Sequence, residues 1–194
     1  MASRYDDELW ELVPEHSEPA PEHLRRFVRS LGRAEHALDL GCGDGRLTLE
    51  IDAVALTAAD VSPVALARAE RRLAERSVSL VELDPDSDMP FADSHFDLVL
   101  CAETLEHVRD VQLLLSEVRR VLRPRGRLAV STPAHGRATA LAAALTGFEP
   151  RFEPLSPHLR FFTRRSLTGV LVGGGFELQS VRRHNGSLLG VARR

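Results

Sequence analysis

Short apolar runs of β type alternate with stretches of helical periodicity along almost the whole chain. The β-type runs are His36 to Leu40, Val54 to Ala59, Val78 to Leu83, Phe96 to Cys101 and Arg127 to Ser131. Two more, Phe176 to Arg183 and Ser187 to Ala192, flank His184-Asn185-Gly186, which reads as a hairpin turn. Helical periodicity covers Glu22 to Leu31, Pro63 to about Arg76, Val111 to Leu122, and a stretch from a cap at Thr163 to about Val172. A further helix is expected from about Gly45. Punctuation supports these boundaries. Ser62-Pro63 is an N-cap followed by proline in the first turn, Pro124 and Gly126 end one helix, and Gly173-Gly174-Gly175 breaks another.

Strands alternating with helices predict βαβ units and a parallel sheet covered on both faces. The expected class is therefore α/β, with a doubly wound sheet of seven strands. It is mostly parallel, and the short final turn makes the C-terminal strand antiparallel. The length, 194 residues, fits one domain and can bury a core without disulfides or metal. Residues 35–194 are expected to form it, residues 1–34 a helical, lid-like N-terminal segment, and residues 133–161 a lid-like insertion. Tyr5 and Trp10 are candidates to line an acceptor pocket under such a lid. Pro14 to Pro21 is the one stretch that reads as a flexible connector.

Composition changes this picture little: 43% of residues are apolar and 27% charged. No apolar run reaches the roughly 18 residues a membrane span needs, and the N-terminus is acidic where a signal peptide is basic. A cytoplasmic protein with no membrane partner is expected. Cys42 and Cys101 fit a reducing compartment and lack metal-site spacing. Charge is uneven. Residues 1–97 hold 10 Arg against 21 acids, residues 98–194 hold 15 Arg against 7, and lysine is absent. The basic second half is compatible with an anionic partner, or with arginines that only solvate helix faces.

The stretch LDLGCGDGR has glycine at every second position after the first apolar run. In a doubly wound sheet this loop is the default ligand site. A pyrophosphate site would use GxGxxG against a helix N-terminus. Here the spacing is GxGxG and Asp39 precedes it. An acid repels phosphate and suits an ammonium group, so a ligand carrying both carboxylate and ammonium fits best.

ALDLGCGDGRLTLEI resembles the first motif of the class I S-adenosylmethionine-dependent methyltransferases, which have a Rossmann-like fold. Asp60, nineteen residues after Gly41, matches the acid that takes the ribose hydroxyls in that family. Three further blocks follow in order: VELDPDSDMPFADSHFDLVLCAETLEHV, SEVRRVLRPRGRLAVSTP and HLRFFTRRSLTGVLVGGGF. Pro124-Arg125-Gly126 departs from the family's usual Pro-Gly-Gly. The resemblance implies S-adenosylmethionine as cofactor and S-adenosylhomocysteine as product. It implies a cofactor site at Asp39, Gly41, Cys42, Gly43, Gly45, Asp60, Val61, Asp84 and Cys101, with Asp84 at the adenine amino group.

Methyl transfer from a sulfonium is an in-line displacement on an already activated group. The protein must chiefly align the acceptor and exclude water, and a base is needed only if the acceptor keeps its proton. CAETLEHV sets Glu103, Glu106 and His107 just after the fourth strand, where an acceptor would meet the cofactor. His107 and Glu103 are the expected catalytic pair. No metal is required. If one binds, its ligands would be Glu103, Glu106, His107 and His158, the pattern that small-RNA 3′-terminal 2′-O-methyltransferases use for a metal. Similar segments occur in ubiquinone-pathway O-methyltransferases.

The expected function is methylation of a small-molecule, possibly anionic acceptor, with oxygen as the first candidate atom. One alternative is a metal-dependent RNA-terminal methyltransferase. A nucleic-acid partner is not expected, because aromatics for base stacking are few and no separate RNA-binding module is present. The other is a non-catalytic binding protein on the same fold. A monomer and a homodimer fit the sequence equally.

Overall fold

In the computed structural model, the residues described are 7, 8, 10–12, 14, 18–147 and 158–194. Their strands are β1 (Ala34–Leu40), β2 (Ala53–Asp60), β3 (Ser79–Glu82), β4 (Phe96–Ala102), β5 (Leu122–Pro133), β6 (Glu177–His184) and β7 (Ser187–Arg193). The helices are α1 (Glu22–Arg29), α2 (Pro63–Arg72), α3 (Val111–Val121), α4 (Arg137–Thr146) and α5 (Arg164–Gly173). One sheet runs in the order β3-β2-β1-β4-β5-β7-β6. β7 pairs antiparallel with both β5 and β6, and the other pairs are parallel. The expected doubly wound, seven-stranded architecture is therefore present.

The strand order reverses between β1 and β4, which pair side by side although two strands separate them in sequence. Ligands in such sheets sit outside the carboxyl ends of the strands at this switch point. Both faces there are covered. Leu38, Leu40, Val99 and Cys101 point into a core with Leu115 and Val118 of α3 and Leu167 and Leu171 of α5. Ala37, Leu98, Leu100 and Ala102 point into a second core with Leu24, Phe27 and Val28 of α1. Double burial is why these strands read as nearly continuous apolar runs.

The punctuation works as the residue types dictate. Ser62 Oγ accepts from Ala65 N at 3.1 Å, capping α2, and Asp110 Oδ1 accepts from Leu113 N at 2.9 Å, capping α3. Thr163 and Ser166 form a reciprocal capping box on α5. Asn185 and Gly186, at φ of 44° and 85°, make the two-residue β6–β7 turn.

The helix expected from Gly45 is not formed. Only a 3₁₀ turn, Thr48–Glu50, lies between the glycine loop and β2. Residues 41–52, which connect β1 to its parallel neighbour, are at the lower limit of about a dozen for such a crossover, and the glycine loop takes the first of them. The carbonyls a helix would use are taken instead by the Arg76 guanidinium, bonded to Thr48 O, Leu49 O and Ile51 O at 3.0, 2.7 and 2.9 Å.

β5 is longer than expected and starts before Pro124-Arg125-Gly126. Arg125 is exposed with φ at 66°, a left-handed conformation that costs a residue with a Cβ about 1–2 kcal/mol. Glycine there gives some of this back through unfolded-chain entropy. Arg125→Gly is expected to raise stability by about 0.5–1 kcal/mol, read as a higher urea midpoint at unchanged slope.

Candidate functional site

The glycine loop leaves β1 at its carboxyl end, and Gly41, Gly43 and Gly45 all have positive φ, at 73°, 55° and 80°. At two of them close packing also forbids a side chain. A Cβ on Gly41 would lie 2.4 Å from Thr104 Cγ2, and one on Gly43 would lie 2.6 Å from Trp10 Cζ2. The loop is thus fixed from one side by the β4 end and from the other by the N-terminal segment.

Two carboxylates stand under it. Asp39 is buried, and its Oδ2 accepts from Thr48 Oγ1 at 2.6 Å. Burial pushes its carboxyl up to about 7, and the nearby Asp60 charge adds to this while the Thr48 bond opposes it. Asp60 ends β2 and is also buried. Its Oδ2 accepts from Gly43 N at 2.8 Å and its Oδ1 from Ser62 N at 3.0 Å. Burial raises its carboxyl as well, against the pull of those amides. Val61 follows, half-buried against the core.

Cys42 and Cys101 are buried, and burial pushes both thiols far above neutrality, so they stay protonated packing residues. Asp84 stands differently. It is exposed, and its carboxylate accepts from Asp86 N and Ser87 Oγ at 2.9 and 2.8 Å. Those bonds hold it below the usual carboxylate range and tie it to its own turn. Asp44, which the sequence reading passed over, is buried and paired with Arg46 and Arg72 at 3.0 and 2.9 Å. It braces the loop.

The carboxyl end of β4 carries a second polar group. Glu103 sits at φ 53°, and its Oε1 accepts from Ser131 Oγ at 2.8 Å. Burial raises its carboxyl. Glu106 is 1% exposed, and neither side-chain oxygen has a hydrogen-bond partner. Burial, then the charge of Glu103, pushes it up to about 8, with its own backbone N–H and the nearby Thr132 hydroxyl pulling the other way. The rings of His107 and His158 meet edge to face at 4.8 Å between centroids. Ligand atoms of Glu106, His107 and His158 all lie within 4.8 Å of one another. Burial lowers the His158 imidazole.

The chain around His158 is held in place by backbone bonds. Leu159 N and Arg160 N both donate to Glu106 O, at 2.8 and 3.2 Å, and the Arg160 guanidinium bonds the Val108 and Arg109 carbonyls. Of the four expected metal ligands, three converge. Glu103 turns to Ser131 instead. That bond joins residues 28 positions apart, one just past the end of β4 and the other on β5, and no local pattern announces it.

The N-terminal segment contributes where sequence spacing gave only a general hint. Trp10 packs on Gly43 of the loop, and Asp7 Oδ1 accepts from Ser62 Oγ at 2.5 Å. Tyr5, and residues 148–157 of the expected insertion, lie outside the described residues. No helix among the described residues is long and apolar enough to cross a membrane.

Comparison with known proteins gives a consistent picture. A family profile described as a methyltransferase domain matches residues 38–130, from β1 through β5. The demethylmenaquinone methyltransferase of Tropheryma whipplei is 35% identical over 120 residues, which cover 59% of this chain and 50% of that protein. The ubiquinone biosynthesis O-methyltransferase of Aromatoleum aromaticum is 36% identical over 138 residues, covering 68% of this chain and 58% of its own. The chain thus spans about half the length of the curated relatives it matches. An S-adenosylmethionine-dependent methyltransferase from Mesorhizobium loti shares the fold, with a TM-score of 0.66 at 22% identity over 89% of this chain and 96% of that one.

Proposed function

We propose that this chain, whose residues 38–130 match a methyltransferase-domain family, is a class I S-adenosylmethionine-dependent methyltransferase that methylates a small-molecule acceptor at oxygen. The observation that carries this reading is the pairing of two polar groups across the β1–β4 switch point. Asp39, the glycine loop and Asp60 lie on one side, and Glu103, Glu106 and His107 lie on the other. The first set suits the cofactor. Asp39 offers a negative charge to the amino group of the methionine end, and Asp60 offers its remaining lone pairs to the ribose diol. Gly41, Cys42, Gly43 and Gly45 supply backbone under the ligand, and Val61 and Cys101 supply apolar wall. Asp84 is the weakest member of the set, since its carboxylate is already engaged in its own turn.

The second set suits an acceptor hydroxyl. Bound S-adenosylmethionine would supply an already activated methyl group for in-line transfer to the acceptor oxygen, with a neutral thioether as leaving group, and an imidazole nitrogen of His107 would take the hydroxyl proton. Glu103, fixed by Ser131, orients the acceptor. Choice of oxygen draws on relatives named as O-methyltransferases, and choice of a phenolic or similar small acceptor on relatives named for quinone pathways.

A second reading of the same cluster is favoured by one observation. Glu106 has both oxygens buried without a hydrogen bond, beside two imidazoles. An orphaned buried carboxylate next to nitrogen ligands fits a divalent cation such as Zn²⁺ or Mn²⁺. Glu106, His107 and His158 would hold it, and when bound it would polarise the acceptor oxygen.

The test is calorimetric titration of S-adenosylhomocysteine, followed by transfer of labelled methyl to a panel of phenols, with EDTA or with Mn²⁺. Micromolar binding and O-methylated product are expected, and His107→Gln is expected to lower kcat roughly a hundredfold. Full activity in EDTA would remove the metal reading. Absence of cofactor binding would remove the enzyme reading and favour a non-catalytic role for the fold.

A further inference from the structure

Asp60 is the carboxylate that the proposed cofactor site needs, yet it is only 8% exposed. What covers it comes from far away in sequence. Asp60 bonds Gly43 N and Ser62 N, at 2.8 and 3.0 Å. The N-terminal segment grips the same two residues. The benzo edge of Trp10 rests on the Gly43 Cα, where a Cβ would lie 2.6 and 2.8 Å from two ring carbons. Asp7 Oδ1 accepts from the Ser62 hydroxyl at 2.5 Å and from Val64 N, at the N-terminus of α2, at 3.4 Å. The Arg68 guanidinium carbon lies 5.9 Å from the centre of the Trp10 ring, within cation–π range. Asp7 and Trp10 therefore bridge the end of β2 and the glycine loop directly across Asp60.

We propose that Asp7 and Trp10 form a latch over the ribose side of the cofactor cleft, which must release for the cofactor to enter or leave. This inference rests on the cofactor reading above. The holding forces suit repeated release. The bonds to Asp7 from the Ser62 hydroxyl and Val64 N, the Trp10 ring edge on Gly43 and the cation–π contact each contribute modestly net. The Asp7 charge also reaches Asp60, where it adds to the burial that disfavours the ionised carboxyl.

The chain has a single tryptophan, so its emission reports this contact alone. S-adenosylhomocysteine is mixed with the 194-residue chain in a stopped-flow fluorimeter, and binding is measured in parallel by calorimetry. Emission is expected to change saturably, with the calorimetric Kd. Asp7→Ala is expected to raise association and dissociation rates together by about fivefold, the rate equivalent of one net hydrogen bond, leaving Kd within about twofold. Calorimetric binding with unchanged Trp10 emission, or unchanged rates in Asp7→Ala, would overturn the latch and leave the cofactor reading standing. Calorimetric silence would remove both.

Discussion

Replacing Asp60 by alanine is expected to weaken S-adenosylhomocysteine binding at least about thirtyfold while leaving the fold intact. The size follows from what the carboxylate holds. Its two oxygens already accept Gly43 N–H and Ser62 N–H in a buried position. Alanine leaves both donors without a partner, at about 1–3 kcal/mol each. It also removes the charged acceptor for a ribose diol, and truncating one side of such a buried pair costs about 2–5 kcal/mol. The fold should survive, because a buried carboxylate itself costs desolvation, which the variant relieves. Asp60→Asn keeps one amide acceptor and is expected to fall between the two. Calorimetry gives the affinities, and the thermal midpoint without ligand separates loss of binding from loss of structure. A Kd within threefold of the wild type would mean that Asp60 only staples the loop to α2.

How far such a site could be read from sequence depends on how local its causes are. β1 and β4 were legible because both of their faces are buried, so Leu38, Leu40, Val99 and Leu100 leave an unbroken apolar signal. Ser62 and Thr163 were legible as caps because a cap acts within three residues. The glycine loop was legible through its spacing and the preceding acid. The false helix after it shows the limit. Residues 46–50 have helical character, but Thr48 is drawn to Asp39 and Arg76 takes the carbonyls from 28, 27 and 25 residues away. The convergence of His158 on Glu106 and His107 was anticipated only through a resemblance, since no periodicity links positions 51 apart. The seating of Trp10 on Gly43 left no local mark at all. Asp84 is the converse case. Its position in the sequence suggested a ligand, and its neighbours Asp86 and Ser87 turned the carboxylate to a local task.

Asp39 gives the second large effect, and its sign is fixed by the direction of its shift. Its carboxyl is raised to about 7 by burial. Without ligand, the folded protein therefore prefers Asp39 protonated. Its contribution to stability is fully present below the unfolded value of 3.8 and is lost as pH rises through about 7. A cofactor ammonium beside it reverses the preference, because an opposite charge stabilises the ionised form. Binding below pH 7 must then expel a proton, and affinity climbs with pH at close to tenfold per unit until Asp39 is ionised. Between roughly pH 5.5 and 7.5 the affinity for S-adenosylhomocysteine is expected to rise about twentyfold. Near pH 6, calorimetry in buffers of different ionisation enthalpy is expected to record about one proton released per ligand bound. Asp39→Asn can still accept from Thr48, so its loop should persist. Its affinity should be weak and flat over the same range, and its thermal midpoint should exceed the wild type's at pH 8 but not at pH 4. The two effects pull in opposite directions on one residue: the substitution that stabilises the empty protein is the one that disables binding. A flat wild-type affinity with no proton release would instead make Asp39 a brace for Thr48, and would move the ammonium's partner elsewhere in the loop.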